Sequence, residues 1–363
     1  MRFEITRFDP ASGREGLLSL WRDNLYTAAT GRSHLLERRF DWLYGGENGE
    51  DAATTWVARA RTGADEHAHI VGCASLYPRR ILVGGQELPA GTGCDFAVAR
   101  EHRVFGPALA LQRTLVGASF DDGFQFLFVR PDRASIGLFR RVGYRELGHT
   151  ERWVKVLRPE RFAEDINNSP LVVALSRLAA KGLEAVDQAF RLPHLRELFR
   201  LRPEILSDTD PRFDQLWVEA RPHHRLAEVR SAELLSRRYA RIPTQRHQFF
   251  CLADGDRLVG YVAFSVEGNS ACVADLLARD NESSLDLLLV EFVAAMHREG
   301  MNAISVVFLE NERMRSRLKR LFFLKRERLR PILVYLPEEA PEHIRSTVLS
   351  GRDWLLFDGG MDI

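Results

Sequence analysis

Apolar residues follow two rhythms along this chain: a spacing of three and four that belongs to helices, and an alternation or short continuous run that belongs to strands. The succession of rhythms occurs twice. An apolar run ending in tryptophan opens each half, Leu17-Leu18-Ser19-Leu20-Trp21 in the first and Phe213-Asp214-Gln215-Leu216-Trp217 in the second. A helical pattern with paired leucines, a double arginine and an aromatic follows, from His34 to Phe40 and from Glu233 to Tyr239. Strand-like runs interrupted by glycine come next, Ile70-Val71-Gly72-Cys73-Ala74 and Leu258-Val259-Gly260-Tyr261-Val262. Asp95-Phe96-Ala97-Val98 then aligns with Asp275-Leu276-Leu277-Ala278, and Phe126-Leu127-Phe128 with Val306-Val307-Phe308, with no net gap between the two pairs.

A chain with such self-similarity is read one unit at a time. Each copy is expected to run through helices, a strand hairpin, a strand, a helix of about 15 residues, a buried strand, a short helix and final strands, which is a mixed α/β architecture. The expected boundaries are a first domain at 1–160, a linker at 161–205, a second domain at 206–340 and a tail at 341–363. In the linker, Leu171, Val172, Leu175, Leu178, Leu183, Val186 and Phe190 form a helical apolar stripe after the start signal Asn167-Asn168-Ser169-Pro170. That stripe reads as an interdomain or dimer-packing helix; Arg177, Lys181 and Arg191 leave attachment to a membrane surface as the alternative.

Composition narrows the class. With 363 residues, 45% hydrophobic and 28% charged, the chain can bury the cores of two ordinary domains. Its 51 basic and 50 acidic residues give a net charge of +1, so no global field draws it to DNA or to an anionic membrane. Cys73, Cys94, Cys251 and Cys272 stand singly, which speaks against zinc, other metal sites and a disulfide framework. The start lacks a secretory apolar core, and no run approaches the roughly 18 apolar residues of a membrane span. Cytoplasmic residence is the expectation.

The chemistry is concentrated in Asp95-Phe96-Ala97-Val98-Ala99-Arg100-Glu101-His102-Arg103-Val104-Phe105-Gly106-Pro107-Ala108, a strand running through a turn into an amphipathic helix. Such a turn aims free backbone N–H groups and the positive helix end at one point, where a diphosphate can be bound without many lysines. Gly106 permits close approach, and Pro107 suits the first helical position although it removes one donor.

Arg103-x-x-Gly106-x-Ala108 resembles the acyl-CoA motif of the GNAT superfamily of N-acyltransferases. The later run Asp132-x-x-Ser135-x-x-Leu138-Phe139-x-x-x-Gly143-Tyr144 resembles that family's second signature, with Asp132 in its Asn place and Phe139 in its Tyr place. The resemblance covers about residues 55 to 157. It implies tandem GNAT-like domains, each with a mixed, mostly antiparallel sheet flanked by helices. It also implies acetyl-CoA or another acyl-CoA as co-substrate, with no metal.

The resemblance further implies a backbone role for Val98 and Ala99 along the pantetheine. Arg103, Val104, Phe105, Gly106 and Ala108 would surround the diphosphate, and Asp132 and Phe139 would lie near the cofactor. A small amine would attack the thioester directly. Asp95 leads as the base, with Glu101 and His102 as alternatives; recurrence of the aspartate as Asp275 favours a structural role instead. Phe139 has no hydroxyl to donate to a departing thiolate.

The second copy has lost this logic. Ser283 stands for Arg103, Asp286 for Gly106 and Leu288 for Ala108, so it reads as a scaffold. Its basic run from Arg313 to Arg330 reads as a solvated helix face or an anionic-ligand surface. Two further functions stay open: an aminoacyl-tRNA-dependent transferase of the peptidoglycan type, and a non-catalytic acyl-CoA-binding protein.

Overall fold

A computed structural model describes residues 3–25, 35–45, 52–60, 68–103, 106–161 and 170–360. Two compact units result: Met1–Gly148 with Ile242–Thr244 and Arg330–Leu349, and His149–Arg241 with Gln245–Leu329 and Ser350–Ile363.

In the first unit, strands β1 (Glu4–Arg7), β2 (Thr54–Ala60), β3 (His69–Val83), β4 (Gln86–Val98) and β5 (Phe126–Val129) lie side by side in chain order. The sixth place is taken by the end of β13 (Leu324–Tyr335), whose Leu333 to Tyr335 pair antiparallel with Val129 to Leu127. Among these described strands β4 and β5 pair in parallel. The β3–β4 hairpin turns on Gly84 and Gly85, at φ 57° and 94°, the left-handed pair that a two-residue hairpin with native twist requires.

Helix α1 (Pro10–Asn24) begins where Asp9 accepts the N–H of Ala11 and the hydroxyl of Ser12, with proline at its first position, and buries Leu17, Leu18, Leu20 and Trp21. Helix α2 (Leu36–Tyr44) buries Phe40 and Leu43. Helices α3 (Pro107–Asp121) and α4 (Ile136–Val142) follow β4 and β5 respectively. Leu111 and Leu115 of α3 join Ala58, Val71, Leu76, Leu127 and Leu333 in one core.

The second unit repeats the plan. Its sheet runs β7 (Leu201–Leu206), β9 (His247–Asp254), β10 (Arg257–Glu267), β11 (Ser270–Ala278), β12 (Ala303–Leu309) and β6 (Arg145–Val156), again with one parallel pair, β11 and β12. Helices α6 (Arg212–Ala220), α7 (Ser283–Arg298) and α8 (Glu312–Arg320) hold the places of α1, α3 and α4. A short strand β8 (Leu226–Glu228) pairs in parallel with β14 (Trp354–Leu355).

The last strands are exchanged. The first half of the sequence supplies β6 to the second unit, where Thr150 to Val156 pair with Leu309 to Ala303; the second half supplies β13 to the first. The compact units therefore do not follow the linear boundaries at 160 and 340. Either closing strand offers a similar β-rich edge, so composition does not say which sheet it joins.

The linker forms one helix, α5 (Pro170–Arg191), without a break at Gly182. Its Asp187 is buried and binds both Lys155, at 2.9 Å, and His297, at 3.1 Å. Among the described residues no helix is long and apolar enough to cross a membrane.

Four cations of the second half's basic run, Arg315, Arg317, Arg320 and Lys325, are bound by carboxylates. Arg317 and Arg320 bind Asp286, and Arg315 binds Glu151 through two nitrogens at 2.8 and 2.7 Å. Lys325 and the indole N–H of Trp153 also donate to Glu151. Burial alone would raise the Glu151 pKa, but these donors outweigh it and hold the carboxyl at about 2, below its ordinary 4.5. A depressed carboxyl contributes stability that is complete above the unfolded value and disappears as pH falls through the folded one. On acidification from pH 4.5 to 2, the midpoint of thermal unfolding is therefore expected to fall more steeply for the native chain than for Glu151→Gln; equal slopes would sink this assignment.

Candidate active site

Strands β4 and β5 are paired only from Ala90 to Thr92 against Phe126 to Phe128. Beyond Thr92 no further pairing joins them, although Gly93 still lies against Val129, where β5 ends. At the same level β4 bulges against β3: Cys73 faces Ala97 and Ser75 faces Cys94, so Asp95 and Phe96 together oppose Ala74. Asp95 takes the left-handed conformation, φ 44°. Both of its carboxylate oxygens are engaged by Arg39 of α2, at 3.2 and 2.8 Å, and the two side chains are only 5% and 2% exposed.

That geometry recurs in the second unit with a different arginine. Asp275 is bound by Arg230 through two bonds of 2.9 Å and by the hydroxyl of Tyr261 at 2.6 Å, beside a β10–β11 bulge. Sequence alignment pairs Arg39 with Arg238, but Arg238 binds Glu228 instead. The recurring aspartate is thus a bulge anchor in both units. Both Asp95 oxygens are committed to a guanidinium, which speaks against the proton-acceptor role that the sequence suggests for it.

Past the bulge, the N–H of Ala99 is given to Val71 of β3 at 2.8 Å. Successive residues point their backbone groups to opposite edges, so Val98 presents its N–H and C=O on the edge away from β3. Of the two residues expected to offer backbone to a ligand, Val98 is the one so placed, while the Ala99 N–H is taken. Arg103 Nε donates to the Val98 carbonyl at 3.1 Å and its Nη2 to Asn24 Oδ1 of α1 at 3.0 Å, which ties the turn to α1.

Arg100, Glu101 and His102 form a single 3-10 turn. Val104 and Phe105 lie outside the described residues. Gly106, at φ 88°, then leads into α3; among the described residues no side chain caps this helix, and a Cβ placed on Gly106 would meet nothing within 4 Å. The first turn of α3, including the N–H of Ala108, therefore offers donors with no side-chain cap among the described residues and the open approach that a diphosphate needs.

Glu101 is 71% exposed and lies beyond the far end of β4. The four residue steps from Asp95 to Ala99 alone span about 13 Å of strand, which sets Glu101 well apart from the bulge. His102 is buried, and its Nδ1 has no partner among the described residues. It lines a cavity of about 520 Å3 together with Ser19, Asp23 and Asn24 of α1 and His69 of β3.

Asp132 turns its carboxylate onto its own helix start, accepting the N–H and hydroxyl of Ser135 at 2.8 and 2.5 Å. Its counterpart is Asn311, which accepts from the N–H of Met314 at 3.1 Å, one residue before the Glu312 that sequence alignment selects. Phe139 is buried, edge-on to Phe96 at 5.9 Å and to Tyr144 at 5.2 Å. It is a core residue under the divergence of the strands. Among the described residues, no group of three His, Cys, Asp or Glu side chains is arranged to hold a metal.

In the second unit the equivalent helix start is filled from within. Asp280 Oδ1 accepts the N–H groups of Glu282 and Ser284 at 2.8 and 3.1 Å, and its Oδ2 accepts the Ser284 hydroxyl at 2.5 Å. Sequence reasoning missed this carboxylate, because it lies two residues before the N-cap Glu282 rather than at the cap position where a helix-start signal is sought.

Residues 40–147 match the family model described as Acetyltransferase (GNAT) domain. The chain carries a GNAT acetyltransferase domain over those residues, and its motif, bulge and diverging strands all lie inside or at the border of the match. Solved structures share the fold across nearly the whole chain. A GCN5-related N-acetyltransferase from Anabaena variabilis superposes with a TM-score of 0.62 at 16% identity, over 92% of this chain and 73% of that one. A conserved protein of unknown function from Enterococcus faecalis gives 0.62 at 10% identity, over 93% and 72%. A GCN5-related N-acetyltransferase from Kribbella flavida gives 0.57 at 14%, over 92% and 71%. No curated protein matches the sequence.

Proposed function

We propose that the first unit binds acetyl-CoA and passes the acetyl group to a small amine acceptor by direct attack within a ternary complex. The observation that carries this reading is the glycine-led start of α3, without a side-chain cap among the described residues, following a β4 end that is no longer paired with β5. Val98 would pair with the pantetheine, and the first-turn amides of α3, reached past Gly106, would hold the diphosphate. Bound there, acetyl-CoA supplies an activated thioester. The chain's own contribution is orientation: Arg39 and Asp95 fix the bulge, and Arg103 fixes the turn against α1.

Phe139 offers no proton to a leaving thiolate, and this favours a second reading in which the unit binds acyl-CoA without turning it over. One experiment separates the two. Calorimetric titration with CoA tests binding, and release of free thiol from acetyl-CoA in the presence of an amine panel tests turnover. Binding with turnover is expected; binding alone establishes the second reading, and neither defeats both.

A further inference from the structure

The second unit has a groove equivalent to the one proposed to bind acyl-CoA. Strands β11 and β12 are paired only from Ser270 to Val273 against Ala303 to Val306, and past the bulge they diverge as β4 and β5 do. The segment Trp354 to Gly360 lies in that divergence. The N–H of Leu309 donates to the Leu356 carbonyl at 2.9 Å, and Phe357 bridges antiparallel to Phe308. Trp354, Leu356 and Phe357 are buried.

The following turn, Asp358–Gly360, packs on β11. Gly359 approaches so closely that a Cβ on it would stand 2.6 Å from the Ala274 carbonyl oxygen and 2.9 Å from the Tyr239 ring. Arg238 Nε donates to the Gly359 carbonyl at 3.1 Å. A side chain at 359 would have to displace backbone, so glycine is needed here for close approach.

We infer that Trp354–Gly360 is the resident occupant of the second unit's groove, an added strand and turn in the place of a pantetheine, while Asp280 takes the place of the diphosphate at the start of α7. The groove is a peptide-binding surface whose partner is this chain's own segment, recognised by main-chain pairing, apolar burial of Leu356 and Phe357, and the close passage of Gly359. Both subsites are filled from within, and the second unit is closed to acyl-CoA. The comparison with the first unit rests on the function proposed above; the docking of the segment does not.

Hydrogen exchange of the full chain followed by mass spectrometry, with calorimetric titration of CoA, tests this. In the native protein the peptides covering 303–311 and 350–360 are expected to be protected, and CoA to bind with one site per chain. In Gly359→Val both peptides are expected to exchange at least about tenfold faster, while peptides covering β2 and β5 keep their protection. The measurement on the native chain needs no variant and guards against a Gly359→Val that fails to fold. Unprotected 350–360 in the native protein, or two CoA sites per chain, overturns the inference. Protection of both peptides with no CoA bound removes the function proposed for the first unit and leaves the docked segment standing.

Discussion

Arg230→Ala is expected to destabilise the second unit by about 3–5 kcal/mol, the cost of leaving a buried carboxylate without its countercharge. Asp275 is almost fully enclosed, and Arg230 supplies two of its hydrogen bonds while also donating to the Glu228 carbonyl at 2.8 Å. With the guanidinium gone, Asp275 keeps the hydroxyl of Tyr261, a neutral donor that cannot offset the lost charge. The readout is the denaturant midpoint reported by exchange of β10 and β11 amides. Combining Arg230→Ala with Asp275→Asn is expected to recover much of the loss, because the charge that made the vacancy costly is then absent. A single variant that unfolds at the native midpoint would show that Asp275 is solvated rather than anchored.

The second large effect concerns the ligand. Gly106→Asp is expected to weaken CoA binding by about 30- to 150-fold, a cost of roughly 2–3 kcal/mol. Two causes add. A residue with a Cβ at φ 88° carries strain of about 1 kcal/mol, which weakens binding to the extent that the bound turn must hold that φ while the free turn can relax, and a carboxylate at the start of α3 both satisfies its amides and repels the diphosphate. Gly106→Ala separates them: nothing lies within 4 Å of the added Cβ, so it bears the strain alone and is expected to cost about tenfold or less. If alanine and aspartate weaken binding equally, or neither does, the diphosphate is not bound at this turn.

The aspartate substitution copies what the second unit has done naturally. Asp286 there is bound by Arg317 and Arg320 of α8, and the amides of the helix start are taken by Asp280. The difference between Gly106 and Asp286 is accompanied by a filling of the helix start by Asp280 that no single position announces.

Much of the architecture was legible because it is local. Strand hairpins follow from β-rich runs around Gly84-Gly85, α3 from the Gly106-Pro107 start, and α5 from its stripe after Pro170. The segment from Asp95 to Ala108, on which the family resemblance rests, was legible for the same reason, being one strand, one turn and one helix. What escaped depends on distant partners. Asp95 looks like a free carboxylate until Arg39, 56 positions away, is seen to close on it. Arg238 looks like the equivalent of Arg39, but Arg230 reaches Asp275 first from a different loop. The segment around Phe357 shows only apolar content until β12 is found beside it.

The exchange of closing strands has a consequence for the order in which the molecule is made. A chain synthesised from its amino end completes β5 early, yet the residues that pair with it, Leu333 to Tyr335, emerge only after nearly all of the second unit has been made. The roughly 200 intervening residues take on the order of 10–40 s at about 5–20 residues per second. Through that interval β5 lacks its native outer neighbour, and such a bare strand edge invites pairing with other chains. The first unit, although first in sequence, reaches its final form late, and a gene cut between the two halves would encode two products that each lack a native strand.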